Sequence, residues 1–143
     1  MTSNPFGTTV TSDDIIDTLG FFDGWEERYK YIIDLGRELP PMADAKKDDA
    51  HLVRGCQSQV WIDARRDGGR LWFETDSDAF IVKGLLAVVL AAYNGKRPDE
   101  VLAFDIEDYF RRLDLLRHLS PTRGNGLRAM VKRIRTMAVE AAA

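Results

Sequence analysis

The chain has 143 residues, of which 45% are hydrophobic and 30% charged, a balance typical of one folded globular domain rather than a disordered or fibrous chain. Its net charge of −3 lacks the basic excess with which proteins neutralise nucleic-acid phosphates. The N-terminus resembles no secretory signal, and no apolar run reaches the ~20 residues that cross a bilayer, so we expect a cytoplasmic protein that binds neither nucleic acid nor membrane. We expect one domain over residues 1–143, with a flexible segment at 1–11.

The first third of the chain has the spacing of two helices. A short helix is predicted over IIDTLG, with Ser12 or Asp13 as its cap. A longer amphipathic helix is predicted from Asp23, because apolar residues recur every three or four positions until Pro40. Asp23 and Glu26 have the spacing of a capping box. The segment MADAKKDDA has no apolar period and predicts a charged surface loop.

The middle of the chain changes to the alternation typical of β-strands. Apolar and polar side chains alternate over residues 60–65, residues 67–69 predict a turn, and RLWFET alternates again, which together indicate a hairpin. Leu52 and Val53 could add a short third strand. Cys56 would then lie at the bend between that strand and the hairpin.

Four more helices are predicted after the hairpin. A buried helix within TDSDAFIVKGLLAVVLAAYNGKRP would begin with Thr75 and Asp78 in capping-box spacing and stop at Asn94. Two short helices follow around PDEVLAF and EDYFRRLD, and the last begins with Ser120 as cap and Pro121 in its first turn. Helices around a small antiparallel sheet of about three strands make an α+β domain.

Cys56 is the only cysteine in the chain, and Gly55, Gln57, Ser58 and Gln59 surround it. Unreactive cysteines behave as small hydrophobes, usually among apolar neighbours, so this setting suggests a displayed thiol. The composition alone leaves an unreactive and a functional cysteine equally open. A lone thiol suits a persulfide carrier better than a redox cycle, because a dithiol reductase needs a second cysteine.

The two histidines, His51 and His118, define the remaining chemical alternatives. Neither stands at a metal-ligand spacing with a partner, and a tetrahedral zinc site needs about four ligands, so we predict no metal site. A cysteine-dependent hydrolase would pair Cys56 with one of these histidines as its base. That alternative stays open at the level of the sequence.

Three separated segments, VRGCQSQVWI, TDSDAFIVKGLLAVV and LSPTRGNGL, closely resemble the SufE family and its CsdE relatives. The resemblance extends from about Trp25 to Arg135. It implies a sandwich like that of iron–sulfur scaffold proteins, with Cys56 on a loop at the tip of the sheet. It also implies a monomer or weak dimer that is not a stand-alone enzyme.

The resemblance further implies that Cys56 accepts persulfide sulfur from a SufS/CsdA-type cysteine desulfurase, which it stimulates. The sulfur would pass to a SufB-type iron–sulfur scaffold or another acceptor. The pyridoxal phosphate belongs to the desulfurase, so this chain is expected to bind no cofactor. A non-covalent regulatory adaptor of a desulfurase or scaffold is the alternative.

The other matching residues have structural as well as functional interpretations. Gly55, Gln57 and Ser58 would support the cysteine loop. Asp78 matches the acidic residue of the family's DSDA motif, yet it could simply start the buried helix. Arg123 matches the arginine of an SPSR-like segment, in which Thr122 replaces a common serine. It could favour the thiolate, contact the partner or pair with a carboxylate.

Overall fold

The computed structural model describes residues 4–142, which form six α-helices and a two-stranded antiparallel sheet. In chain order these are α1 (Ser12–Phe21), α2 (Trp25–Arg37), β1 (Val60–Asp67), β2 (Arg70–Ser77), α3 (Phe80–Tyr93), α4 (Pro98–Ala103), α5 (Ile106–Leu113) and α6 (Pro121–Ala142). Short 3₁₀ turns occupy Asp44–Lys46 and Leu116–His118. The predicted α+β class and the order of the elements are confirmed.

The hairpin has the predicted turn but lacks a full third strand. The strands pair from Val60 opposite Ser77 to Asp67 opposite Arg70. The third segment is reduced to a single bridge from Leu52 to β1 in the part of the chain that the structure describes. The expectation of about three strands was therefore too high, because the chain turns away soon after this bridge.

After this bridge the chain turns at Gly55, where the backbone φ is 92°. Residues other than glycine rarely adopt this backbone conformation, so Gly55 permits the sharp turn. Just before it, the Val53 amide donates to the Val60 carbonyl at 2.8 Å. The chain is thus attached to β1 on one side of the turn and leaves the sheet on the other.

Helix α3 forms the centre of the core. Nearly all of its residues from Ile81 to Tyr93 are buried, as the apolar sequence predicts. Its closest neighbour is α2, because neither Gly36 nor Gly84 carries a Cβ. A Cβ at Gly84 would lie 2.2 Å from the Ile32 carbonyl oxygen, so a side chain there would separate the helices. Among residues 4–142, no helix has both the length and the apolar character of a membrane span.

Two predicted caps near the N-terminus are wrong. Helix α1 is capped by Thr11, which forms a capping box with Asp14, rather than by Ser12 or Asp13. Helix α2 follows Gly24, which makes no side-chain capping bond, so the predicted box from Asp23 is absent. Several nearby polar residues could serve as caps, and backbone direction selects among them.

The predicted capping box of α3 is also wrong, whereas the cap of α6 is confirmed. Strand β2 continues through Thr75 to Ser77, which keeps Thr75 within the sheet, and the N-cap of α3 is Ala79 without a side-chain bond. At α6 the Ser120 hydroxyl accepts the Arg123 amide at 3.2 Å. Asp78 is thereby left for another role.

The segment before α1 packs against the core. Phe6 is fully buried, and the buried Asn94 side chain donates to its carbonyl oxygen at 3.0 Å. The same amide accepts the Phe73 backbone N–H at 2.8 Å, which joins this segment to β2. The flexibility predicted for residues 1–11 stays a prediction. Met1–Ser3 lie outside the described residues.

Candidate functional site

The loop between the Leu52 bridge and β1 turns the Cys56 side chain toward α6. The half-buried thiol donates to the Gly126 carbonyl oxygen, with Sγ and oxygen 3.5 Å apart. A Cβ added at Gly126 would lie 3.7 Å from Sγ, so the sulfur packs directly on the helix backbone. The thiol that the sequence presents among polar residues therefore faces inward.

A small cavity adjoins this thiol. Its volume of about 20 Å³ leaves room for roughly one atom of water size. The loop, the start of β1, α3 and the first turns of α6 all contribute to its wall. The lining residues are Cys56, Gln57, Ser58, Val60, Val82, Leu85, Thr122, Arg123, Gly126 and Met130.

Partial burial changes the acidity of the thiol. Burial raises the pKa of Cys56, because removal from water penalises the charged thiolate more than the neutral thiol. Since the thiolate is the nucleophile, the raised pKa favours the less reactive thiol form near neutral pH. The geometry describes a protected thiol.

Asp78 attaches the end of the cysteine loop to the start of α3. Its carboxylate accepts the backbone N–H of Gln59 at 3.0 Å, and its own backbone N–H donates to the backbone carbonyl of Gln59 at 3.3 Å. The Ser77 hydroxyl donates to the same carbonyl at 2.7 Å. Three hydrogen bonds therefore hold the loop at Gln59, three residues after Cys56. This role accounts for the DSDA segment better than a helix cap does.

Arg123 lines the cavity from the first turn of α6. Its guanidinium donates to the Tyr29 hydroxyl over a long 3.4 Å contact. Within residues 4–142, no carboxylate forms an ion pair with it. The structure thus brings Arg123 and Cys56 to one cavity and removes the interpretation of Arg123 as a salt-bridge residue.

The two histidines lie in other hydrogen-bond networks. His51 contacts the Asp48 carboxylate at 2.7 Å, and His118 stacks on Trp25 with ring centres 4.1 Å apart. Across residues 4–142, neither imidazole hydrogen-bonds to Cys56. The same residues bring together no group of three or more His, Cys, Asp or Glu side chains that could hold a metal ion. The cysteine–histidine hydrogen bond that a hydrolase would use is not formed among these residues.

Sequence reasoning missed Gly126 and Tyr29, which lie 70 residues from Cys56 and 94 residues from Arg123. Contacts over such separations depend on the whole fold. One local signal existed for Gly126, because a glycine inside a helix often marks the close approach of another group. The periodic pattern of α6 gave no sign of what would approach.

Comparisons with known proteins identify the family. The model of the SufE family, described as an Fe-S metabolism associated domain, matches residues 13–138. The chain belongs to the SufE family. An uncharacterized SufE-like protein of Rhizobium meliloti (strain 1021) is 45% identical over 130 residues, covering 88% of this chain and 93% of the relative. Another from Rhizobium etli is 48% identical over 136 residues and covers 92% of both chains.

The fold is also similar to a solved structure. The solution structure of a hypothetical protein from Thermus thermophilus has a TM-score of 0.75, with 20% identity over 92% of this chain and 95% of that chain. At that identity the likeness shows the fold alone. Membership of the SufE family assigns the chain to iron–sulfur metabolism, with a general role in sulfur transfer.

Proposed function

We propose that this SufE-family protein accepts sulfur on Cys56 from the persulfide of a cysteine desulfurase and delivers it for iron–sulfur cluster assembly. One observation carries the proposal: the single thiol of the chain adjoins a cavity with room for about one more atom. A sulfur atom added to Sγ could occupy that space. The pyridoxal phosphate that generates the persulfide would remain in the desulfurase.

The transfer is an exchange reaction. The Cys56 thiolate attacks the outer sulfur of the donor persulfide, a new S–S bond forms on Cys56, and the donor's S–S bond breaks. The electron pair of the broken bond leaves with the donor sulfur, which takes up a proton in place of the one lost by Cys56. No external oxidant or reductant is required.

The lone cysteine and the cavity would both preserve the cargo. A neighbouring thiol could attack the inner sulfur of the persulfide, close a disulfide and release sulfide. The sequence contains no second cysteine that could do so. The apolar walls from Val82, Leu85 and Met130 would shield the outer sulfur from water and oxidants.

The same protection creates a need for movement. A thiol that faces α6 would have to turn outward to reach into the active site of another protein. We propose that the loop turns outward when the desulfurase docks, with Gly55 at one end and the attachment to Asp78 at the other. Arg123 lies in the wall of the cavity that the thiol would leave, and its cation would favour the thiolate as the loop opens.

Replacing Cys56 with Ser tests the carrier role. We expect Cys56→Ser to abolish stimulation of cysteine desulfuration, and mass spectrometry of the wild type after incubation with desulfurase and cysteine to show one added sulfur. Serine preserves the size of the side chain, so circular dichroism should confirm an unchanged fold. Full stimulation by Cys56→Ser would instead support a non-covalent adaptor.

A further inference from the structure

Phe80 is a large apolar side chain that the fold leaves in water. It is the first residue of α3, and 74% of its surface is exposed. It takes no part in the hydrophobic core, unlike its helical neighbours Ile81 and Val82. Among residues 4–142, the other large hydrophobic side chains exposed in this way are Phe21 and Val139.

The position of Phe80 along α3 places it at the end of the molecule that carries the thiol. It lies two residues after Asp78, which binds the end of the cysteine loop through Gln59. It also lies two residues before Val82, which lines the cavity beside Cys56. Two residues of helix rise only about 3 Å along the axis.

We propose that Phe80 is an anchor through which the cysteine desulfurase docks on this protein, by entering an apolar pocket of that partner. The inference rests on the proposed function, because a sulfur donor must bring its persulfide to Cys56 and therefore cover the surrounding surface. A protein interface of standard size covers about 800 Å² on each partner, a disc of roughly 16 Å radius. Because Asp78 bonds the end of the cysteine loop and Phe80 follows Asp78 by two residues, we place Phe80 within such a footprint.

The surroundings of Phe80 indicate the chemistry of the partner's pocket. Aromatic side chains are enriched among the residues that dominate binding energy, where a rim of polar contacts excludes water. Exposed Gln59 and Asp78, which are joined by a hydrogen bond, provide such polar groups close to Phe80. The matching surface would be an apolar pocket bordered by hydrogen-bond donors, at least one of them basic to face Asp78.

Direct binding to a purified cysteine desulfurase tests the anchor, with Phe21→Ala as the matched control. Phe21 is 86% exposed at the end of α1, and α1 contributes no residue to the cavity wall. We expect Phe80→Ala to raise the Kd in isothermal titration calorimetry about tenfold or more, as truncation of an interface anchor does. Phe21→Ala should bind like the wild type.

Two further measurements, on Cys56→Ser and on Phe80→Ala, separate the anchor from the carrier role. Cys56→Ser should bind the desulfurase normally, and Phe80→Ala should still gain one sulfur at saturating desulfurase. A Phe80→Ala protein that binds like the wild type, or an equal loss in both Phe variants, would overturn the anchor. A wild type that binds but gains no sulfur would overturn only the carrier role, whereas one that does not bind would overturn both.

Discussion

As a sulfur carrier, Cys56 would have to satisfy two opposing requirements. Its added sulfur would need shelter, which the Gly126 backbone and the cavity could provide, and its thiol would need exposure while it reacts. Burial meets the first requirement and hinders the second, because it raises the pKa of the thiol. The chemistry of this residue should therefore depend on whether a partner is bound.

Alkylation measures that dependence. Iodoacetamide should modify Cys56 slowly in the isolated protein, and the rate should still be rising above about pH 8.5, where an ordinary cysteine is half ionised. The raised pKa gives this sign, since the reactive thiolate forms only at higher pH. Adding desulfurase should accelerate the reaction, with glutathione as the reference thiol. Equal rates with and without desulfurase would contradict the movement of the loop.

The role of Arg123 can be tested by comparing a substitution of Arg123 with a substitution of its hydrogen-bond partner, Tyr29. Arg123→Ala should slow sulfur acceptance about tenfold, because the cation in the cavity wall that would favour the thiolate is lost. Tyr29→Phe removes the hydroxyl that now binds the guanidinium while keeping the charge, so it should accept sulfur at least as fast as the wild type. Initial rates of persulfide formation compare the two. Equal slowing in both variants would mean that Arg123 acts only through its contact with Tyr29.

At the scale of elements, the cysteine loop has one free-turning and one attached end. Gly55 allows the backbone to rotate, whereas Gln59 is bonded to Asp78 and Ser77. The loop can therefore open only if the hydrogen bonds at Gln59 break or if the residues between Gly55 and Gln59 rotate. The strength of this attachment should set how often Cys56 is exposed without a partner.

Asp78→Ala weakens the attachment. We expect Cys56 alkylation in the isolated protein to become several-fold faster, with a loss of unfolding free energy of about 1 kcal/mol for one hydrogen bond. Asp105→Ala is the matched control, since Asp105 likewise accepts a backbone amide, that of Asp108 at 3.0 Å, at the start of α5. It should lose similar stability without faster alkylation. Faster alkylation in both variants would indicate general loosening instead.

Sequence patterns predicted the elements better than their contacts. The helical period and the alternation of the hairpin are local, so α2, α3 and the two strands could be predicted from them. Caps were less predictable, because Thr11 rather than Ser12 has the backbone direction that a cap requires. The inward turn of Cys56 was beyond local reasoning, since it depends on Gly126, 70 residues away.

At the scale of the whole molecule, buried Asp76 joins three parts of the fold. Its carboxylate accepts the amides of Met42 and Ser77 and pairs with Lys47 and Lys83 at 3.2 and 3.4 Å. These residues belong to the loop after α2, to β2 and to α3. Burial alone would raise the pKa of Asp76, but the two amides and the two lysines outweigh it and lower the pKa.

The lowered pKa predicts a dependence of stability on acid. The ionised Asp76 contributes fully above the unfolded-state pKa of about 3.9, and this contribution is lost as the pH falls through the lower folded-state pKa. Asp76→Asn should therefore cost roughly 2–3 kcal/mol at pH 7, with a difference from the wild type that shrinks below about pH 4. Urea unfolding at several pH values measures it. Exposed Asp99→Asn should show little loss, and a difference for Asp76→Asn that persists in acid would contradict the linkage.

The size of the cavity also bears on how much sulfur the protein could shelter. About 20 Å³ admits one extra atom, since one water-sized sphere already takes roughly 10–15 Å³. A second sulfur atom added to Cys56 would have to project past the cavity wall into solvent, where thiols could remove it. If Cys56 carries sulfur, the protein would deliver it one atom per visit, and mass spectra of the loaded protein should lack the longer polysulfides. The cavity would then both protect the added sulfur from solvent and keep each delivery to a single sulfur atom.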